Sequence, residues 1–164
     1  MSYWDVEMRP WYGRLEALSP PERLRVATAA VDTAVDSLEP SYEQAVAEDD
    51  RRVIDALRGA ARRATDAGRV GLDPEELEAL FEEVDGVLED THEEVGRNLL
   101  MALLALPDEG GLPVDGLAAI LDGAYQSVVA NAGLPVYGVE PERASDRCRR
   151  AVAAQQRLIE AAAG

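Results

Sequence analysis

The stretch VGRNLLMALLAL, residues 95–106, decides the fold. After Arg97 and Asn98 every position is apolar. A helix of this kind has no polar stripe to offer water, so it belongs at the centre of a bundle. Its run LLMALLAL, 99–106, falls far short of the ~20 residues that a membrane span needs. The segment therefore reads as a buried core helix that other helices must cover.

Upstream lies DPEELEALFEEVDGVLEDTHEE, residues 73–94. Asp73 reads as a helix cap, Pro74 as the first helical residue and Glu76 as the capping-box partner. Leu77, Leu80, Phe81, Val84 and Leu88 then recur with the helical period. Thr91 and Glu94 have the spacing of a second capping box, which would open the central helix. Earlier, SPPE at 19–22 repeats the start signal, with Leu24, Val31, Val35 and Leu38 on one face and Pro40 as the stop. SYEQ at 41–44 marks a short helix. Asp50 is expected to cap the next one, whose stripe is Val53, Ile54, Leu57, Ala61 and Ala64 and whose stop is Gly68.

Downstream, 107–113 reads as a loop. A helix over about 114–132 carries Leu117, Ile120, Leu121, Tyr125 and Val128. NAGLPVYGVEPE is the longest irregular segment. A last helix from about 141 carries Ala144, Cys148, Ala151, Val152, Gln155, Leu158 and Ile159 on one side. No stretch alternates with the period of a strand. The expectation is an all-α, single-domain helical bundle over 1–164, with about six to eight helices round a buried central helix at about 95–106.

A chain of 164 residues suits one compact domain with a core of its own. Its 32 acidic residues against 16 basic ones give a net charge of −16. Such a surface repels nucleic acid and anionic membrane and attracts basic proteins. All of the basic residues are Arg, which together with abundant Ala and Gly points to a GC-rich coding sequence. The single cysteine, Cys148, allows no internal disulfide. The start MSYWDVEM has neither the basic nor the apolar region of a secretion signal. A cytoplasmic location is the expectation.

Residues 73–94 hold eleven carboxylates and no Arg or Lys. Glu75, Glu78, Glu82, Asp85 and Glu89 step by three or four residues and form a ridge away from the apolar stripe. Glu76, Glu83 and Asp90 form a second row. Like charges at i, i+4 cost about 0.2–0.5 kcal/mol each, so the ridge weakens its own helix unless a cation faces it. Three readings stay open. The ridge is a plain solvated helix face, or it pairs internally with Arg51, Arg58, Arg62 and Arg69, which share a face in the preceding segment, or it docks a basic partner.

The only histidine, His92, makes an E-x-x-H spacing with Glu89, which on a helix places a carboxylate and an imidazole on one face. Di-iron bundles need two such motifs and further glutamates, and the chain has one histidine. Asp85 and Glu93 would add oxygen donors to such a site. No metal and no cofactor is expected, and Glu89 and His92 are the residues to watch. Cys148 lies among Arg147, Arg149 and Arg150, which would lower a thiol's pKa, but it sits on the apolar stripe and reads as a buried inert thiol. No nucleophile elbow and no phosphate-cradling glycine loop is present, so no catalytic residue is assigned. Tyr3, Trp4, Trp11 and Tyr12 cluster at the start. Trp4, Met8, Trp11, Leu15 and Leu18 share a helical face that Pro10 interrupts. They anchor the first helix to the bundle, or Trp4, Trp11 and Tyr12 form an interface in a homodimer.

Residues 13–68 resemble the start of the YjaG-like family of uncharacterised helical bacterial proteins. The resemblance rests on Arg14, Leu15 and Leu18 at the start, on Pro40 and Tyr42 after the first long helix, and on Asp50, Arg52 and Leu57 in the next. It covers the N-terminal third. The family's later tryptophan and its glycine–aromatic–proline step are missing here. The resemblance implies an all-α fold and self-association, and no activity.

The functional expectation is a non-enzymatic protein-interaction module. In its sharpest form it is an immunity- or antitoxin-like inhibitor that masks a basic protein with the 73–94 ridge. The alternatives are an oligomeric helical protein in which the ridge binds nothing, and a small metal-dependent enzyme built on Glu89 and His92.

Overall fold

The structure, a computed structural model, describes residues 1–135 and 138–163. They form α1 (Tyr3–Met8), a 3-10 turn (Arg9–Trp11), α2 (Tyr12–Ala17), α3 (Pro20–Asp36), α4 (Tyr42–Ala45), α5 (Glu48–Asp66), α6 (Pro74–Leu88), α7 (Glu94–Leu103), α8 (Val114–Asn131), α9 (Val139–Ala144) and α10 (Asp146–Ala163). The helical content is 76%, and no strand occurs among the described residues. The all-α bundle expected from periodicity is the fold observed, with ten α-helices among the described residues where six to eight were expected, since α1, α2, α4 and α9 are short. Among the described residues no helix is long and apolar enough to cross a membrane.

Six helices are long enough to pack along their length, and α3 and α8 hold the middle. α3 packs on α8, α10 and α5, while α8 also carries α7 and α10. α7 lies along α8 and against α5 and α6. Leu99 and Leu100 are fully buried, and Val95, Ala102 and Leu103 are nearly so. Arg97 and Met101 keep one edge of α7 open, with Met101 51% exposed. The crossing of α7 with α8 is close because residue 123 is glycine. A Cβ there would stand 2.5 Å from the Ala102 Cβ.

The sequence signals locate most helix ends. Ser19 N–H donates to Glu22 Oε1 at 2.7 Å, and Glu22 N–H donates back to Ser19 Oγ at 3.4 Å. Asp73 Oδ2 accepts from Glu76 N–H at 3.2 Å. Gly68 adopts φ 70° just past α5, the left-handed stop that glycine adopts without strain.

Four expectations need correction. α7 ends at Leu103, not at Leu106. The N–H groups of Ala105 and Leu106 reach back three residues, to Ala102 and Leu103, a tightened turn before Pro107, which disfavours helix at the preceding residue. Thr91 does not cap α7; its hydroxyl is bonded to Asp50 Oδ1 and to the Val87 carbonyl, both at 2.8 Å. The cap is Glu93, which accepts from Gly96 N–H at 2.7 Å. Asp50 caps nothing either, since α5 begins two residues earlier, at Glu48, and Asp50 is buried within its first turn. The last helix is two, broken at Ser145 in extended conformation, so Ala144 is exposed rather than on the apolar face. Of the irregular segment 131–142, Val136 and Tyr137 lie outside the described residues.

Candidate functional site

α6 is a peripheral helix, packed on α5 and α7. Leu77 and Val84 are buried and Leu80, Phe81 and Leu88 half-buried, which fixes the helix rotation. Glu75, Glu78, Glu82, Asp85 and Glu89 consequently face water and are all exposed. Among the described residues none of these five carboxylates has an ion-pair partner.

The arginines of α5 are engaged elsewhere. Arg58 Nε and Arg62 Nη2 each reach the Asp32 carboxylate of α3 at 2.8 Å. Being four residues apart, they bracket one acceptor from one helix face. Arg58 also reaches Asp55 at 3.0 Å, and Arg51 Nε donates to the Val46 carbonyl at 3.1 Å. Among the described residues the one ion pair from α5 to α6 is Arg63 Nη2 to Glu76 Oε1 at 2.6 Å, an exposed pair in the second acidic row. Among the described residues the ridge therefore makes no ion pair with Arg51, Arg58, Arg62 or Arg69.

Beside the ridge runs an open groove. Leu77 and Phe81 form its apolar floor, and Glu78, Glu82, Asp85 and Asp108 its rim. Asp108 comes from the loop after α7 and was not visible in the helical pattern. Its segment is drawn against the loop before α6, where Leu72 N–H donates to the Pro107 carbonyl at 2.9 Å. The approach is so close that a Cβ on Gly71 would lie 1.7 Å from the Asp108 carbonyl oxygen. The bare glycine ahead of the Asp73 cap was the one local signal of it.

Glu89 and His92 are not brought together as a helical pair. α6 ends at Leu88, Glu89 is its C-cap, and His92 lies in the non-helical link to α7. The E-x-x-H spacing places two groups on one face only while the chain is helical. Among the described residues no group of three His, Cys, Asp or Glu side chains is placed to hold a metal ion. Glu93 instead points inward. Burial pushes its carboxyl up, the Gly96 N–H opposes that shift, and the Asp50 charge adds to it. Its Oε2 has no hydrogen-bond partner among the described residues.

The aromatic cluster divides. Trp4 is 2% exposed, and its Nε1–H donates to Gln155 Oε1 of α10 at 2.8 Å, so it is a fixture of this chain's own core. Trp11 is half-buried under the Arg14 guanidinium, 4.4 Å from its ring centre. Tyr12 is exposed. Cys148 is buried. Near it Tyr125 donates to Glu142 Oε1 at 2.5 Å, and burial, then that carboxylate, raise the phenol's pKa. Tyr125, Glu142 and Cys148 are fully enclosed, so the Tyr125–Glu142 hydrogen bond lies within the core.

No family model matches the chain, and no curated protein and no solved structure does. The acidic ridge and its groove form the candidate site.

Proposed function

We propose that the protein is a non-enzymatic interaction module that docks a basic, partly apolar segment of another protein on α6. An inhibitor of the immunity or antitoxin kind, which masks a cationic surface, is the sharpest form of this reading. The observation that carries it is that Glu75, Glu78, Glu82, Asp85 and Glu89 are exposed and have no ion-pair partner among the described residues, beside a groove lined by Leu77 and Phe81. Carboxylates in this arrangement steer a basic partner at long range, while the floor takes an apolar anchor.

The test uses a defined probe, a fluorescent amphipathic peptide rich in Arg and Leu. Its anisotropy titration is run at low and high salt against the native protein and against Glu78→Arg/Glu82→Arg/Asp85→Arg. The expected result is affinity that falls steeply with salt, as the Debye length shrinks from about 10 Å at 0.1 M to about 3 Å at 1 M. The reversed variant is expected to bind at least about tenfold more weakly with unchanged helicity. Equal binding by the reversed variant would sink the reading.

A further inference from the structure

Arg147, Arg150 and Arg157 of α10 line a cleft of about 250 Å³ between α3, α8 and α10. The cleft exists because alanines meet there from three helices: Ala30 and Ala34, Ala124, and Ala151 with Ala154. Tyr125 and Gln155 also line it, but their polar groups are taken. Tyr125 bonds Glu142, and Gln155 spans the Trp4 indole and the Leu121 carbonyl. Arg147 is committed too, to the Glu39 carbonyl at 3.1 Å and to Asn131 Oδ1. The Glu39 side chain joins the lining near it, which disfavours an anion at that end.

Arg150 and Arg157 are different. Both are exposed, and among the described residues neither meets a carboxylate. Unlike Arg147, Arg150 and Arg157 make no hydrogen bond within the chain among the described residues, and they stand beside an apolar hollow, where an anionic guest is the complementary one. We infer that this cleft binds a small amphipathic carboxylate, its short apolar body on the alanine floor and its head on Arg150 and Arg157. Ligand pockets usually run about 300–1,000 Å³, so a hollow of about 250 Å³ restricts the guest to a short chain. Guanidinium is the side chain best matched to a carboxylate, through paired hydrogen bonds. The site shares no residue with α6, so its fate does not bear on the docking proposal.

The experiment is isothermal titration calorimetry of the full chain with octanoate, with octanol as the uncharged body and inorganic phosphate as the head alone. Octanoate is expected to bind at least about tenfold more tightly than either control. Arg150→Gln/Arg157→Gln alters exposed side chains, so the fold is retained, and it should bring octanoate down to the level of octanol. Ala154→Leu, which fills the hollow, should abolish octanoate binding, with circular dichroism as the check on helicity. Absence of octanoate binding, or octanoate binding unchanged in the arginine variant, would overturn the assignment. Phosphate binding as well as octanoate would mean an adventitious ion only and overturn it equally.

Discussion

Trp4 joins α1 to the bundle through its ring and through one hydrogen bond. The indole N–H, the Gln155 side chain and the Leu121 carbonyl form a chain of two 2.8 Å contacts, all buried. Removing the donor leaves Gln155 Oε1 enclosed and unpaired, and such a group costs about 1–3 kcal/mol. Trp4→Phe keeps most of the ring, so urea unfolding should show a loss of about that size, and α1 should gain amide exchange ahead of the rest. Glu93 works in the opposite sense. Its folded-state pKa is raised above the unfolded value, chiefly by burial. The stability tied to its proton is fully present below the unfolded pKa and is lost as pH rises through the folded one. At pH 7 the charge therefore opposes folding. Glu93→Gln, which keeps an oxygen for the Gly96 N–H, should raise the melting temperature at pH 7, and the gain should vanish once the medium is acid enough to protonate the carboxyl in both states. A gain that persists there would mean that packing, not charge, is responsible.

Among the elements, α6 depends on the loop that follows α7. Gly71→Ala drives a Cβ into the Asp108 carbonyl, 1.7 Å away. That contact is with backbone and cannot relax by a side-chain turn, so a loss of about 1–3 kcal/mol is expected. The same shift carries Asp108 off the groove rim, so binding of the basic peptide should weaken along with the melting temperature. Peptide affinity left intact would take Asp108 out of the site. The face of α6 was legible in the sequence, because Leu77, Phe81, Val84 and the ridge between them follow one helical period. Asp108 was not, because no periodicity connects a loop residue to a helix far back in the chain. The same limit hid the α10 cleft. Arg147, Arg150 and Arg157 stand on one side of a helix, yet the hollow they line needs alanines from α3 and α8, and alanine spacing carries no sign of what it will face. Helix ends were misread where a local rule met a tertiary partner. Thr91 had the spacing of a cap but found Asp50, and Ser145 broke a helix that the apolar stripe alone would have carried through.

Across the whole molecule the dominant electrostatic fact is the net charge of −16. Most of the ion pairs among the described residues are exposed or join neighbours on one helix, and pairs of that kind contribute about 0–1 kcal/mol each. Asp32 with Arg58 and Arg62 is the exception, tying α3 to α5. Self-repulsion should therefore outweigh attraction in the folded state. Raising sodium chloride from about 0.1 M to about 1 M, which shortens the Debye length from about 10 Å to about 3 Å, should raise the melting temperature in calorimetry. Glu78→Arg/Glu82→Arg/Asp85→Arg adds two charges at each of three sites, taking the net charge from −16 to −10. It also sets cations among the carboxylates that remain on α6. This variant should melt above the native protein at low salt and respond less to added salt. If it melted lower instead, the ridge would have a stabilising cation within the chain, and its availability to a basic partner would fail together with the docking proposal.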